Sequence, residues 1–503
     1  MNSMLLTDGY KLDHRRQYPE GTEFIYANWT ARSDKHFPIP ENKQLDGYVV
    51  FGVQYLCVKY LIEEFKKNFF DRNEEEVVEE YTRFMQSYIG YDNAATIGVQ
   101  HIKSLHRLGY LPIEMRALPE GTVCPIGVPC LTITNTDKNF FWLVNYLETL
   151  ISCILWPMMT SATIAREYKK ELKRHCEKTG IPMSDFMIHD FSMRGMHGVE
   201  SAILSGMGHL SCFSGSESLP AIEELRKYYD PEYKETISTI FATEHSVACS
   251  NTDFDGDEPC DFGYIKNMLN LYKDGMFSIV ADTYDFWRFV GNYIPKYKDD
   301  IMKRNGRVVI RPDSGVPEDI ICGDRSEVMD MFEDSKYRFR RRGAYPLLTD
   351  IFGCGFTDKG YKVMDPHIGM IYGDAITLER QEKIYKRLEM DGISASNLVL
   401  GVGSYTYLGR VSRDSLGFAL KTTHCTINGK GKEIYKDPKT VSGMPKKSLK
   451  GLINLYEEDG VIVAKDQQEQ IDDDSLLKKV FVDGTISRPC NITEIKKRIN
   501  DSL

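Results

Sequence analysis

The chain has 503 residues, of which 42% are hydrophobic and 27% are charged, and its formal net charge at pH 7 is −10. A chain of this length is too long for one simple hydrophobic core, so we expect two closely packed domains. The negative charge argues against non-specific nucleic-acid binding as the main task, because such binding depends on neutralising phosphates with cationic side chains. Length and composition are those of an ordinary soluble enzyme.

The amino-terminal third shows no pattern of export or membrane insertion. Residues 1–8 lack a charged segment followed by an apolar core, so we expect no secretory signal. The apolar stretch 140–159 is interrupted by polar residues and by Pro157. We expect a buried helix that ends near Pro157, followed by a second helix over residues 162–178, and no membrane partner.

The pattern of cysteines indicates the cellular compartment in which the protein is expected to reside. The twelve cysteines include no C-x-x-C pair and no metal-finger spacing, and several, such as Cys57 and Cys153, lie inside apolar runs. Dispersed thiols in a large chain are typical of a reducing environment and of small buried side chains. We therefore expect a cytoplasmic protein.

Short apolar runs that end in polar residues recur through the middle of the chain. They predict strands at residues 186–188, 210–213, 240–241, 277–280, 308–310, 368–372 and 398–400. Helix-length amphipathic segments lie between most of them, at residues 219–229, 284–293 and 378–390. Strands that alternate with helices predict a parallel sheet, and repeated polar strand ends favour a closed α/β barrel whose active face collects residues from many strands.

The residues at these strand ends suit a phosphorylated sugar and an aromatic co-substrate. Four cations match the geometry of phosphate groups: Arg194, Arg311, Arg413 and Lys421. Asp282 and Asp313 offer acceptors for ribose hydroxyls or Mg²⁺-bound water. Phe191 provides an aromatic face, and glycines such as Gly373 let backbone amides approach a phosphate.

Several of these motifs, in this order, resemble the nicotinamide phosphoribosyltransferase family, which belongs to the type II phosphoribosyltransferases. The resemblance runs from near residue 5 to near residue 490. It rests on L-L-T-D-G-Y-K at residues 5–11, H-D-F with R-G at 189–195, E-H-S at 244–246, D-T-Y-D at 282–285, R-P-D-S-G at 311–315, G-D at 373–374, S-R-D at 412–414 and K-D-P at 436–438.

The resemblance implies a fold and an assembly. The fold would be an irregular α/β barrel over residues 161–400, packed against an α+β domain that both chain ends form, with residues 1–160 as its first part and residues 401–503 completing it and the dimer interface. The family assembles as head-to-tail homodimers with two active sites at the interface. Five residues would then reach the active site of the partner subunit: Asp8, Tyr10, Arg32, Arg413 and Lys421.

The resemblance also implies an activity, the transfer of phosphoribosyl from phosphoribosyl pyrophosphate to nicotinamide in NAD salvage. Phe191 and Tyr10 would hold the nicotinamide ring between them, and Arg311 would contact its carboxamide. The sugar and its phosphate would be bound by Asp313, Gly373 and Asp374.

The pyrophosphate would be surrounded by Arg194, His245, Arg413 and Lys421, with Mg²⁺ bridging its oxygens. Asp282 would hold His245 in one tautomer, as a carboxylate commonly does for imidazole. Family members accept a phosphoryl group from ATP on the matching histidine, which implies ATP as an activating co-substrate.

One position departs from the family pattern and leaves alternatives open. The nicotinamide enzymes have an aspartate after a Gly-Thr pair to bind the carboxamide, whereas this chain has Glu217 after Gly215 and Ser216. The retained negative charge favours nicotinamide over nicotinate, because two carboxylates would repel each other in a partly buried site. The alternatives are a nicotinate phosphoribosyltransferase and a non-catalytic binding relative. A metal-dependent barrel hydrolase is disfavoured, since the sequence has no H-x-H pair.

Overall fold

Two large sheets organise this protein, whose computed structural model describes residues 1–326, 335–373, 375–436 and 449–503. In chain order, the strands of the two sheets are β1 (Thr22–Thr30), β2 (Ile113–Ala117), β3 (Pro129–Asn135), β4 (Ile188–Asp190), β5 (Gly215–Ser216), β6 (Phe241–Ala242), β7 (Phe277–Val280), β8 (Val308–Arg311), β9 (Ile368–Tyr372), β10 (Leu398–Val402), β11 (Ala419–Ile427), β12 (Lys430–Glu433), β13 (Lys478–Val482) and β14 (Thr485–Ile486). Shorter strands pair in twos: Tyr48–Val49 with Val123–Cys124, Asp253–Asp255 with Glu258–Cys260, Cys354–Phe356 with Lys362–Met364, and Leu452–Glu458 with Val461–Gln468.

The helices surround and connect these sheets. Those of six or more residues are α1 (Glu74–Ile89), α2 (Tyr91–Ile97), α3 (Gln100–Leu108), α4 (Glu148–Thr179), α5 (Val199–Leu210), α6 (Leu219–Tyr229), α7 (His245–Asn251), α8 (Phe262–Leu271), α9 (Pro317–Cys322), α10 (Ser335–Arg342), α11 (Ala344–Phe352), α12 (Leu378–Met390) and α13 (Ile492–Asp501). The segments Leu56–Glu64 and Lys66–Phe70 are π-helical. The predicted helices at 219–229 and 378–390 are therefore present as α6 and α12.

The middle of the chain forms a parallel barrel. Its strand order is β5-β4-β10-β9-β8-β7-β6, and every neighbouring pair is parallel. A further parallel bridge from Gly215 to Ser238 joins β5 to the segment before β6 and closes the sheet on itself. β7 and β9 are buried along their whole length, as expected for apolar strands covered on both faces. All carboxyl ends of the strands consequently meet at one end of the barrel.

The second sheet is antiparallel and contains strands from both chain ends. Its order is β12-β11-β1-β3-β2-β13-β14. β1 and β11 pair from Thr22 with Ile427 to Thr30 with Ala419. The fully buried Trp29 stacks on Phe418, with ring centroids 5.1 Å apart and planes inclined by 5°. The predicted fold class, an irregular α/β barrel packed against an α+β unit, is confirmed, whereas the boundaries at 160/161 and 400/401 stay predictions.

Helix α4 differs from the sequence expectation. It runs from Glu148 to Thr179 without a break and contains Pro157, where we expected a helix end. A proline inside a helix removes one hydrogen bond and crowds the preceding turn, which costs roughly 3 kcal/mol. Burial offsets that cost, because α5 packs so closely that a β-carbon placed on Gly208 would lie 2.7 Å from that of Ser161. The helix end predicted from Pro157 is therefore wrong, because tertiary packing stabilises a continuous helix.

Two further expectations are wrong. Residues 210–213 do not form a strand, since α5 extends to Leu210 and the strand is β5, a few residues later. The run is apolar because the end of α5 and the residues that follow it are buried. Cys57 is buried as expected, but Cys153 is exposed, because it lies on the outward face of α4.

Within the described residues, no single helix is long and apolar enough to cross a membrane. The segments Lys138–Tyr146 and Glu148–Thr179 pass that test only as a pair, which is bent by 44°.

Candidate active site

The barrel brings six of the predicted site residues to the carboxyl ends of its strands. This barrel-end cluster comprises Phe191, Glu217, His245, Asp282, Arg311 and Asp313. Each follows or ends a different short strand, except that Arg311 ends β8 and Asp313 lies two residues later. Residues separated by more than a hundred positions in sequence thus share one face because parallel strands all deliver their carboxyl ends to it.

The loop after β8 is tied to the end of β7 through Asp282. Its Oδ2 atom accepts hydrogen bonds from the amide of Asp313 at 2.8 Å and from the hydroxyl of Ser314 at 2.6 Å. Burial raises the pKa of the Asp313 carboxyl and the charge of Asp282 adds to this effect, while Arg311 opposes it. Nη2 of Arg311 donates to the carbonyl of Thr243 at 2.7 Å, which fixes the guanidinium across the barrel end.

His245 begins α7 and is held differently from our expectation. Its Nδ1 lies 3.0 Å from Oγ1 of Thr283, whereas its Nε2 lies 3.9 Å from Oδ1 of Asp282. The latter distance exceeds a hydrogen bond, so Asp282 does not fix the tautomer in this structure. The other oxygen of Asp282 is already occupied by the β8 loop. Because a threonine hydroxyl can donate or accept, either tautomer of His245 is compatible with Thr283.

Glu217 is held by two residues that sequence reasoning missed. Nε2 of the buried His189 lies 3.0 Å from Oε1 of Glu217, and the hydroxyl of Thr239 donates to the same oxygen. Burial by itself raises the pKa of Glu217, but the bonds from His189 and Thr239 and the charge of Arg311 outweigh it and lower that pKa. The carboxylate is therefore stabilised in its ionised form. His189 stands in the H-D-F motif and could have been considered on that ground.

Gly401 makes room for the ring of Phe191, and Gly373 lies at ordinary contact distance from it. A β-carbon placed on Gly401 would lie 2.8 Å from ring carbons of Phe191, and one on Gly373 would lie 3.9 Å from the same ring. The ring of His189 lies on another side, with centroids 4.8 Å apart. A cavity of about 540 Å³ extends into the barrel, and the residues that line it include Phe191, Glu217, His189 and Arg311. Such a cavity is large enough for a flat heteroaromatic ring.

The other predicted residues form a second group on the antiparallel sheet and the segments beside it. This amino-terminal cluster comprises Asp8, Tyr10, Arg32, Arg413 and Lys421. Tyr10 and Lys421 line one cavity of about 430 Å³. Burial lowers the pKa of Lys421, and the positive charges of Arg32 and Arg413 act in the same direction. Cations that destabilise one another in this way favour a bound anion.

Individual members of this cluster are fixed by the surrounding backbone and helices. Oδ2 of Asp8 accepts a hydrogen bond from the hydroxyl of Thr149 at 2.7 Å. Nε of Arg32 donates to the carbonyl of Gly417 at 2.7 Å. The side chain of Tyr10 is 65% exposed, so its ring projects from the surface.

Two predicted residues stand apart from these clusters. Arg194 is exposed on the short turn Met193–Gly195, and its charge partly opposes the rise that burial causes in the pKa of Asp313, which places it near the barrel-end cluster. Asp374 lies outside the described residues, as do the last two residues of the K-D-P motif at 436–438. The role assigned to each site residue stays a prediction.

Comparison with solved structures identifies the fold. The crystal structure of human nicotinic acid phosphoribosyltransferase matches 99% of this chain and 93% of its own, with a TM-score of 0.56 and 16% identity. The crystal structure of nicotinate-nucleotide pyrophosphorylase from Pyrococcus furiosus matches 99% of this chain and 95% of its own, with a TM-score of 0.54 and 14% identity. Identities this low show the fold alone, which is that of the type II phosphoribosyltransferases.

Sequence comparison then identifies the family. The nicotinate phosphoribosyltransferase (NAPRTase) family model matches residues 186–485, and that of the nicotinamide phosphoribosyltransferase N-terminal domain matches residues 2–115. The nicotinamide phosphoribosyltransferase of Acinetobacter baylyi is 42% identical over 100% of this chain and 98% of its own, and that of Mycoplasma pneumoniae is 31% identical over 91% and 97%. The chain belongs to the nicotinate phosphoribosyltransferase family. The resemblance predicted from the motifs is confirmed.

Proposed function

We propose that this protein transfers phosphoribosyl from phosphoribosyl pyrophosphate to nicotinamide, giving nicotinamide mononucleotide and pyrophosphate. The observation that carries this assignment is the ionised Glu217 beside the ring of Phe191. A carboxylate in that position accepts hydrogen bonds from the NH₂ of a carboxamide, whereas it repels the carboxylate of nicotinate. The function predicted from the sequence is also the one that the names of the relatives carry.

The reaction requires little proton chemistry from the protein. The pyridine nitrogen has a free lone pair and forms a bond to the anomeric carbon as the bond from that carbon to the pyrophosphate oxygen breaks. The electron pair of the broken bond leaves with pyrophosphate, and the ring becomes a pyridinium. The residues must therefore position the ring and stabilise charge, rather than act as a general base.

The barrel-end cluster supplies the ring and sugar contacts. Stacking on Phe191 contributes about 0.5–1.5 kcal/mol beyond the burial of the ring. The guanidinium of Arg311, which the carbonyl of Thr243 holds in place, donates to the oxygen of the carboxamide. Asp313 accepts from a ribose hydroxyl, and the tie between its amide and Asp282 limits its movement.

Mg²⁺ is proposed to bind together with phosphoribosyl pyrophosphate, as part of the substrate complex. Carboxylate oxygens are hard ligands of the kind that Mg²⁺ prefers, and the barrel-end cluster contains several of them. Oδ1 of Asp282 is buried and has no hydrogen-bond partner among the described residues, so it fits a role as acceptor from Mg²⁺-bound water. When bound, the ion neutralises charge that develops on the leaving pyrophosphate.

The active form is proposed to be a homodimer with composite sites. The amino-terminal cluster offers an exposed aromatic ring, Tyr10, and cations around Lys421, which complement the ring face of Phe191 and the pyrophosphate. The two clusters lie on different sheets of the chain, which is the arrangement expected if each meets its counterpart on another copy.

A cytoplasmic location is also proposed, supported by twelve free cysteines.

ATP is proposed to phosphorylate His245. The side chain is 49% exposed, so the ring is accessible. Because Nδ1 is hydrogen-bonded to Thr283, Nε2 is the nitrogen available to accept a phosphoryl group. Transfer forms the Nε2–phosphorus bond and releases ADP. The added negative charge would act on the pyrophosphate site beside Asp282 and Asp313.

Product formation from phosphoribosyl pyrophosphate and Mg²⁺ tests the proposal, with nicotinamide and nicotinate offered together and with ATP present or absent. We expect nicotinamide mononucleotide as the dominant product. A preference for nicotinate would show that Glu217 does not face the carboxamide and would support the alternative phosphoribosyltransferase. Absence of transfer to either acceptor would support a non-catalytic binding relative.

A further inference from the structure

We infer that Tyr88 is a positioning residue for Tyr10 and acts through the backbone of Gly9. The inference rests on the proposed function, because it concerns how Tyr10 is presented to the nicotinamide site. Tyr88 lies one residue before the end of α1, far from Tyr10 in sequence, and no motif in the chain points to it.

The contact between Tyr88 and Gly9 is unusually close. A β-carbon placed on Gly9 would lie 2.3 Å from the hydroxyl oxygen of Tyr88 and 2.5 Å from a carbon of its ring. Real β-carbons essentially never approach other atoms within 3.0 Å, so a side chain at position 9 would require the phenol end of Tyr88 to move away. The backbone at this position does not itself demand glycine, since Gly9 is not among the residues with positive φ. The absence of a side chain at Gly9 therefore leaves the space that the phenol ring of Tyr88 occupies.

Tyr88 is supported from behind although it lies at the surface. Its side chain is 59% exposed, and its ring stacks on that of Phe84, with centroids 5.9 Å apart and planes inclined by 24°. The stack fixes the phenol end of Tyr88 over the peptide of Gly9. Because this aromatic pair is exposed and contacts the backbone of Gly9, we infer that it has a role other than packing the hydrophobic core.

The same turn also makes contacts with α4. Oδ2 of Asp8 accepts from the hydroxyl of Thr149 at 2.7 Å, and Lys11 forms an ion pair with Glu148. Tyr88 is thus a further contact of a turn whose central residue, Tyr10, is 65% exposed. The ring of Tyr10 lies beside that of His14, with centroids 5.3 Å apart, and its direction also depends on the backbone that carries it. Fixing that backbone lowers the entropy lost when the ring stacks on a ligand.

A double-mutant cycle tests the coupling between Tyr88 and Gly9. We expect Tyr88→Ala to raise the KM for nicotinamide about tenfold with kcat changed less than about twofold, because binding rather than chemistry loses pre-organisation. Tyr88→Phe keeps the ring and should behave as wild type. Gly9→Ala should raise KM in the wild-type background, through collision with Tyr88, but add nothing in the Tyr88→Ala background.

Additive effects of Gly9→Ala and Tyr88→Ala, or an unchanged KM in Tyr88→Ala, would overturn the inference. Tyr91→Ala serves as the matched control, since Tyr91 is a 73% exposed tyrosine at the start of the neighbouring helix α2. It should leave KM unchanged, and an increase equal to that of Tyr88→Ala would mean that any loss of a surface tyrosine in this region has the same effect.

A second readout does not depend on activity. With 3-fluorotyrosine at position 10, the protein gives one ¹⁹F resonance that reports the order of this ring without substrate. We expect Tyr88→Ala to shift and narrow that resonance, and Tyr91→Ala to leave it unchanged. An unchanged resonance in Tyr88→Ala would overturn the positioning role, whereas a wild-type protein that transfers to neither acceptor would overturn only the proposed function.

Discussion

Nε2 of His189 and Oε1 of Glu217 lie 3.0 Å apart, so a buried imidazole fixes the carboxylate that faces the cavity beside Phe191. The position of that charge is the basis on which the protein is expected to distinguish an amide from an acid. His189 itself is immobilised between strands, since a β-carbon on Gly215 would lie 2.4 Å from its Nδ1. We therefore expect the specificity of the site to depend on His189 as well as on Glu217.

Glu217→Gln should lower the preference for nicotinamide over nicotinate. The substitution keeps the size of the side chain but removes the charge that repels nicotinate. We expect the ratio of kcat/KM values for the two acceptors to fall about tenfold or more, which corresponds to about 1.4 kcal/mol. Glu217→Asp keeps the charge and should keep the preference. An unchanged ratio in Glu217→Gln would show that this carboxylate does not face the substituent of the ring.

Gly401→Ala should displace the ring of Phe191. The added carbon would lie 2.8 Å from the ring and 2.7 Å from the α-carbon of Gly373. Overpacking of this kind costs typically about 1–3 kcal/mol, so we expect a lower melting temperature and a higher KM for nicotinamide. Gly355→Ala is the control, because a β-carbon there meets nothing within 4 Å. Equal melting temperatures and equal KM values in the two variants would contradict the role of Gly401.

His245→Ala should abolish stimulation by ATP while some basal transfer remains. Incubation with γ-³²P-labelled ATP should label the wild-type protein in an acid-labile form and leave His245→Ala unlabelled. Thr283→Val removes the hydrogen bond to Nδ1 and should reduce the labelling rate, whereas Thr283→Ser should retain it. Stimulation by ATP that persists in His245→Ala would rule out phosphorylation of this residue as its cause.

Two inactive variants should complement each other if the sites are composite. Tyr10→Ala damages the amino-terminal cluster and Asp313→Asn damages the barrel-end cluster. A mixed dimer, purified through two different affinity tags, would contain one site with both lesions and one with neither. Its activity per dimer should be about half that of wild type. A mixed species as inactive as its parents would place both clusters of each site on one chain.

Acid should weaken the junction between α4 and α12 through Glu389. Burial raises the pKa of this carboxyl, but the hydrogen bonds from Arg174, Lys178 and His175 outweigh it and lower that pKa to about 2 from a usual value of 4.5. A carboxyl whose pKa is lower in the folded state stabilises the fold above the unfolded pKa and loses this contribution as pH falls toward the folded one. The contribution is on the order of 3 kcal/mol.

The measurement is the melting temperature of wild type and of Glu389→Gln between pH 5 and pH 3. The gap between the two proteins should be largest at pH 5 and should narrow as the pH falls, because protonation makes the wild-type residue resemble the amide. A gap that stays constant over this range would show that the charge of Glu389 does not stabilise the fold. Glu379→Gln, which alters an exposed i,i+4 pair with Lys383 on the same helix, is the control.

The sequence was sufficient to predict the alternation of strands and helices, the barrel and most of the residues at its polar end. It could do so because apolar runs such as 308–310 and the charged residues after them are local patterns, and because parallel strands collect their carboxyl ends on one face. The order of the motifs also determined the family. Expectations failed where local signals were overridden, as at Pro157, whose cost is offset by the burial of α4.

The atoms that hold the site residues could not be predicted from the sequence and are known from the three-dimensional structure. The structure shows Thr283, and not Asp282, as the hydrogen-bond partner of His245, since Oδ1 of Asp282 lies 3.9 Å from Nε2, beyond hydrogen-bond distance. It joined His189 to Glu217 and set Tyr88 against Gly9. Such contacts depend on where a side chain of one element meets the backbone of another. That relationship is fixed by packing in three dimensions and leaves no periodic trace along the chain.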